Sequence, residues 1–302
     1  MAPDAPRIAM APSTRATWLM LIAVAAFAGM DASLKLLSAH YPPLQVGALR
    51  GFASLPFVLA WALATGGWAS LRPVRIGLHL LRGVLGIAMM VGFVYGIARL
   101  PLSTAYAITF IAPLLVTLLA VPFLGEHVGP RRLAAVAAGL VGVMVILRPG
   151  GGVLSAAGLA VVGAAVCYAV GAITVRMLTR TDSTQAMVVW MLFLLGAGAG
   201  LLALPGWVPM RASDLGIVAL VGGFGALAQV LLTEAFRLGQ ASRIAPLEYT
   251  ALLWSLGIDL VLWGVLPDAM SWLGAAIIVG SGLYLLWRER DATVGHDIAV
   301  PP

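Results

Sequence analysis

The chain is a succession of apolar runs, each close to the roughly 20 residues a helix needs to cross a hydrocarbon core about 30 Å thick. Cutting at Pro, Gly and charge clusters gives ten, near residues 18–39, 44–65, 76–98, 103–124, 131–148, 156–178, 186–204, 214–236, 242–265 and 271–288. The breaks carry turn chemistry: Tyr41-Pro42-Pro43, Gly66-Gly67, Leu100-Pro101, Gly129-Pro130, Pro149-Gly150-Gly151-Gly152, Pro205-Gly206 and Leu266-Pro267-Asp268. Only 10% of the residues are charged, far below the roughly 25% of a soluble domain. An all-α membrane protein with ten transmembrane helices is therefore expected. The first run follows Arg7 and Arg15, and no small-residue cleavage site separates it from the second, so it is expected to stay as a span rather than to leave as a signal peptide.

The runs repeat. Sliding Arg99–Leu147 by 138 positions onto Arg237–Leu285, without a gap, leaves 12 of 49 positions identical, among them Arg99, Leu100, Ala107, Leu114, Gly142 and Leu147. Both copies read Arg-Leu, a short break, an apolar run, a turn and a second small-residue run. Near an offset of 141, Phe27, Ser33, Lys35 and Leu37 fall on Tyr168, Thr174, Arg176 and Leu178. The chain is read as a tandem duplication: a tail 1–17, a first five-helix repeat 18–148, a second 149–288 and a tail 289–302.

Basic residues set the orientation. With the N-terminus inside, twelve of the 18 Lys and Arg stand at cytoplasmic ends of the runs, and four, Lys35, Arg99, Arg148 and Arg211, at outer ends. Both termini are expected on the cytoplasmic side of the membrane. A unit of five spans is odd, so two copies in tandem enter the bilayer from opposite sides. Such inverted pairs enclose a site near the midplane and expose it to each face in turn.

The end of each half carries a resemblance. The first has Pro113, then FLGEHVGPRRLAAVAAGLVGVMVI with Gly125-Glu126; the second has APLEYTALLWSLGIDLVLWGVLPDAMSWLGAAIIVGSGLYLL. This layout resembles the drug/metabolite transporter superfamily, in its ten-helix EamA-type branch, over essentially the whole chain. One departure is that the second half has Trp263-Gly264 where the family often repeats Gly-Glu. The resemblance implies a carrier similar to bacterial aromatic and broad-range amino-acid exporters.

An ionisable group in hydrocarbon costs about 3 kcal/mol on insertion scales, so each one within a span is a candidate. Asp31 has Lys35 at i+4 and Glu234 has Arg237 at i+3; structural ion pairs are the first reading for both, with a coupling role as the alternative. Arg50 and Arg82, about two turns inside their spans, are expected to snorkel, with holding a carboxylate as the alternative. Glu248 and Asp259 have no basic residue at i±3 or i±4. Glu248 is the first candidate for a cavity acid that contacts cargo or takes a proton, and Asp259 the second. Tyr106, Thr109, Phe110 and Pro113 share one helical face, and their repeat mates include Glu248. Phe27 and Tyr168 are mates in the first and sixth spans. The expected substrate-binding set is Phe27, Tyr106, Thr109, Phe110, Tyr168, Glu248 and Tyr249, with Pro113 and Pro246 as possible hinges or static bends.

Other functions find less support. The basic residues are scattered along the run edges rather than gathered on a phosphate-binding face, so nucleic acid is not an expected partner. His40, His79, His127 and His296 lack metal-ligand spacing, the single Cys167 lies within an apolar run, and no Gly-rich run precedes Lys35. No GxSxG, HExxH or close acidic pair is present, so an enzyme is not expected, nor a cofactor or metal. The sequence is read as a secondary transporter that acts as a monomer in the lipid bilayer and exports amino acids or related small metabolites. Lipophilic cations or nucleotide-like metabolites are the alternative cargo, the latter needing basic groups in the cavity.

Overall fold

A computed structural model describes residues 12–97, 99, 108–109, 111–125, 129–147, 156–264 and 269–294. Among them all regular structure is helical. The helices are α1 (Pro12–Ser38), α2 (Pro43–Gly66), α3 (Ile76–Ile97), α4 (Ala112–Leu124), α5 (Pro130–Leu147), α6 (Ala156–Leu178), α7 (Thr184–Ala203), α8 (Leu215–Leu238), α9 (Ala241–Ile244), α10 (Ala251–Trp263) and α11 (Ala269–Val294). Seven stretches of the described residues are long and apolar enough to cross a membrane, and three shorter apolar helices accompany them. The outer surface is apolar: Trp18, Phe57, Val261 and Trp272 are all exposed. A lipid-facing wall requires this, and the chain is a multi-pass membrane protein.

The turn residues act where the chain stops. Pro43 opens α2 at a position whose N–H has no helical partner. Gly125 closes α4 in the left-handed region at φ 68°, its N–H donating back to Ala120 and Val121. Ser183 caps α7 by accepting the N–H of Ala186 at 3.0 Å. The expected ninth span is not one helix: α9 and α10 are joined by a 3-10 stretch, Ala245–Thr250, with Pro246 near its start. Proline removes a donor and crowds the preceding turn, so the tighter winding falls there. The expected fourth span is described as helix only at Ile108–Thr109 and over α4, where Pro113 occupies one of the first two positions rather than the interior. The last helix runs past the expected 288 to Val294.

Packing pairs helices from the two halves: α1 against α8, α3 against α6, α2 against α7, and α5 against α11. Small residues permit it. A Cβ on Gly51 would stand 2.4 Å from the Gly196 nitrogen, one on Gly222 2.4 Å from the Ala53 oxygen, and one on Gly92 2.7 Å from the Ala160 oxygen. The backbones meet there with no room for a methyl group. Gly47 faces Ala199 while Gln185 Nε2 donates to the Thr65 hydroxyl at 3.1 Å, so α2 and α7 run antiparallel.

Two loops tie the bundle at opposite ends of α2, about 36 Å apart by helical rise. At its start, the Tyr41 hydroxyl donates to Asp214 Oδ2 at 2.7 Å and accepts the Arg211 N–H at 3.0 Å. Gln45 binds the Val208 backbone twice, at 2.7 and 2.8 Å. Beyond its end, Asp182 Oδ1 accepts the Val74 N–H at 2.7 Å and stands 2.9 Å from His79 Nε2, while Thr181 donates to Oδ2 at 2.6 Å. Trp190 Nε1 donates to Leu71 O at 3.1 Å beside it. Burial raises the Asp182 pKa, but the hydrogen bonds from Thr181, His79, Val74 and Arg75 outweigh it and hold the carboxyl below its ordinary range.

Candidate functional site

Helical periodicity builds a cavity of about 220 Å³ inside the bundle. On α1 the lining residues are Val24, Phe27, Met30, Asp31 and Leu34, one face at 3.6-residue spacing. On α3 they are Arg82, Leu85, Gly86, Met89, Met90 and Phe93, and on α6 Ala164, Cys167, Tyr168, Gly171, Ala172 and Val175. Arg50 of α2, Met191 of α7, and Gln229, Leu232 and Phe236 of α8 complete the wall with Thr109, Ala112, Glu248 and Ala251. The surface is thus aromatic and thioether-rich, with a small number of polar groups set into it, the usual make-up of a small-molecule site.

The polar groups form one cluster. The Tyr168 hydroxyl stands beside the Glu248 carboxylate, and the charges of Arg82 and Arg50 also act on that tyrosine. Asp31 acts on Arg50, whose guanidinium stands 5.7 Å from the centre of the Phe27 ring. Arg50 is 7% exposed and Arg82 4%. Arg82 Nη1 donates to the Met187 oxygen at 2.8 Å, and Arg50 Nη1 meets the Met90 sulfur at 3.6 Å. Glu248 reaches the wall because the 3-10 stretch after Pro246 rewinds the chain there.

Of the residues singled out from sequence, the structure brings Phe27, Asp31, Thr109, Tyr168 and Glu248 together on the cavity wall. Tyr106 and Phe110 lie outside the described residues. Tyr249 lies with its ring over Gly139 of α5, outside the cavity lining. One residue past Glu248 turns a side chain by about 100° or more on a helix, which takes it off the face that carries Glu248. Lys35 stands outside the lining, and Glu234 is also off the cavity, its Oε2 3.3 Å from Arg237 Nε and its Oε1 accepting from the Thr184 hydroxyl. Asp259 lies on α10. Pro246 sits in the break described above and Pro113 at the start of α4.

Snorkelling is overturned for both arginines, which are buried and line the cavity instead of reaching a membrane surface. Their depth of two turns was legible in the sequence, but the direction of the side chain was not. Gln229 and the methionines 30, 89, 90 and 191 were also missed. Their only signal is i, i+3, i+4 spacing, which ordinary packing residues share.

The model of the EamA-like transporter family matches twice, over residues 14–148 and 155–287. A riboflavin transporter of Rhizobium johnstonii is 33% identical over 243 residues, 79% of each chain. A riboflavin transporter of Vibrio cholerae is 30% identical over 95% of this chain and 98% of its own. An S-adenosylmethionine uptake transporter of Rickettsia bellii is 28% identical over 91% of this chain and 94% of its own. A solved crystal structure at 22% identity superposes with a TM-score of 0.75 over 89% of this chain and 95% of that one, which speaks for the fold alone. With a family match to each half and relatives aligned along nearly its whole length, the chain belongs to the EamA-like transporters of the drug/metabolite transporter superfamily.

Proposed function

We propose that the chain is a secondary transporter that takes up a flat, nitrogen-rich ring metabolite of the riboflavin kind across the bacterial inner membrane by alternating access. The observation that carries this reading is the cavity. Its walls of Phe27, Phe93 and four methionines give a conjugated ring broad polarizable surfaces, and Arg50, Gln229, Tyr168 and Glu248 offer hydrogen bonds at the ring's edge. This reading takes its cargo from the relatives described above, named for riboflavin and for S-adenosylmethionine, and its direction from the latter's uptake, in place of the exported amino acid expected from sequence.

Alternating access rests on two five-helix halves, 18–148 and 149–288, inserted in opposite orientations with both termini cytoplasmic. The antiparallel course of α2 and α7, which are repeat mates, supports this, as does the exchange of partners in which α1 packs on α8 while α6, the mate of α1, packs on α3. Pro246 is the hinge, at the break between α9 and α10.

The test is uptake of radiolabelled riboflavin into proteoliposomes. Accumulation above the empty-liposome rate, competed by unlabelled riboflavin, is expected; a rate equal to empty liposomes overturns the cargo. A second reading, a sulfonium cation of the S-adenosylmethionine kind, is favoured by the carboxylates of Asp31 and Glu248 on the wall. Labelled S-adenosylmethionine in the same assay decides between them.

A further inference from the structure

The polar cluster carries more than a cargo class. Two atoms buried in the cavity wall have no hydrogen-bond partner among the described residues: Arg50 Nε and Glu248 Oε1. One is an unspent donor and the other an unspent acceptor. Among the described residues Arg50 Nη1 meets a thioether sulfur at 3.6 Å, a weak acceptor, and Tyr168 lies beside Glu248 without satisfying Oε1. Buried polar groups are almost always paired, so orphans at a cavity point to a ligand that pairs them.

Charge narrows the ligand. Arg50 and Arg82 face Asp31 and Glu248 across one cavity, so the arginines balance the carboxylates. An anion drawn to Arg50 shares the cavity with two carboxylates, and a cation drawn to Glu248 shares it with two arginines. A neutral edge with acceptor and donor side by side satisfies both groups without either penalty. The imide edge of a pyrimidinedione ring, C=O, N–H, C=O in one plane, has that pattern. The Phe27 ring beneath the Arg50 guanidinium provides a flat surface at the same end.

Building on the riboflavin-type reading, we propose that Arg50 and Glu248 form a donor–acceptor clamp for the imide edge of a pyrimidinedione-containing ring. The guanidinium donates to a ring carbonyl, and Glu248 Oε1 accepts the N–H between the two carbonyls. Both are specificity-determining residues for transport.

The experiment measures binding to the purified full-length protein in nanodiscs by quenching of flavin fluorescence. The probes are riboflavin and riboflavin methylated at the imide nitrogen, which keeps ring, carbonyls and ribityl chain but loses the N–H. Wild type is expected to bind the methylated probe about tenfold more weakly. In Glu248→Ala the two probes are expected to bind within about twofold of each other, with folding checked by gel filtration and thermal melting. Equal affinity of the two probes for wild type overturns the clamp while leaving the riboflavin reading standing, and it needs no variant. A preference for riboflavin that persists undiminished in folded Glu248→Ala overturns the role of that carboxylate. Failure of wild type to bind either probe while it binds labelled S-adenosylmethionine or an amino acid overturns the cargo reading and the clamp with it.

Discussion

The two loops that tie the bundle together do the same job with opposite chemistry. Tyr41 and Asp182 occupy equivalent places in the two repeats, 141 positions apart, each in the turn between a half's first and second helices. Each reaches the start of a helix in the other half, Arg211–Asp214 before α8 for Tyr41 and Val74–His79 at α3 for Asp182. In one tie the loop brings a neutral hydroxyl and the helix start brings the carboxylate. In the other the loop brings the carboxylate and the helix start brings two N–H groups and a histidine. The two segments matched by the family model share the geometry of the tie, while donor and acceptor trade sides between them. A tie defined by shape rather than residue type constrains where the halves touch and leaves each end free to have its own strength.

The largest expected effect comes from Asp182→Ala, because the carboxylate is fully buried as a side chain and its loss strands His79 Nε2 and the Val74 N–H together. Leaving buried groups unpaired costs about 2 kcal/mol, read as a drop in melting temperature in detergent. Tyr41→Phe removes one hydroxyl and leaves Gln45 bound to Val208, so its drop is expected to be smaller. The reverse order would mean that the Tyr41 end is the stronger tie.

Next in size is a change in access. Cys167, the chain's single cysteine, lines the cavity, so an impermeant maleimide reports which end is open. Asp182→Asn is expected to speed labelling from its own end of the bundle and Tyr41→Phe from the opposite end. Both variants opening the same face would show that the ties do not control separate entrances.

The smallest effect is in pH. Asp182 is held below its ordinary value, so its contribution is complete above about pH 4 and fades as pH falls through the depressed folded value. Tyr41 moves the other way. The Arg211 N–H lowers its pKa, but the hydrogen bond and charge of Asp214, with burial, raise it on balance. Its contribution is complete below about pH 10 and fades as pH rises through the raised value. Melting curves across pH should place the two variants' deficits at opposite ends of the range, the Asp182 deficit vanishing in acid and the Tyr41 deficit in alkali.

Neither tie could be read from the sequence, and the reason separates what was legible from what was not. The succession of apolar runs and its two-fold repetition, matched by the family model over 14–148 and 155–287, are local or periodic properties, visible along one dimension. Tyr41 and Asp214 are 173 positions apart, and nothing about a tyrosine in a Tyr-Pro-Pro turn names its partner. The same limit caught Arg50 and Arg82, whose depth was plain but whose direction depends on which neighbours enclose them. Glu248 could be found because an acid in an apolar run without a nearby base stands out by itself. Tyr249, its neighbour, lies in the same run and differs from it in azimuth, and azimuth decides whether a side chain meets the cavity or α5.

The contact of Gly51 with Gly196 has a mechanical meaning. Where two main chains touch with no side chain between them, the gap can neither close further nor be held open by rotating a rotamer. That point behaves as a rivet: it fixes how near α2 and α7 can come, and a single added methyl there would have to push the two main chains apart.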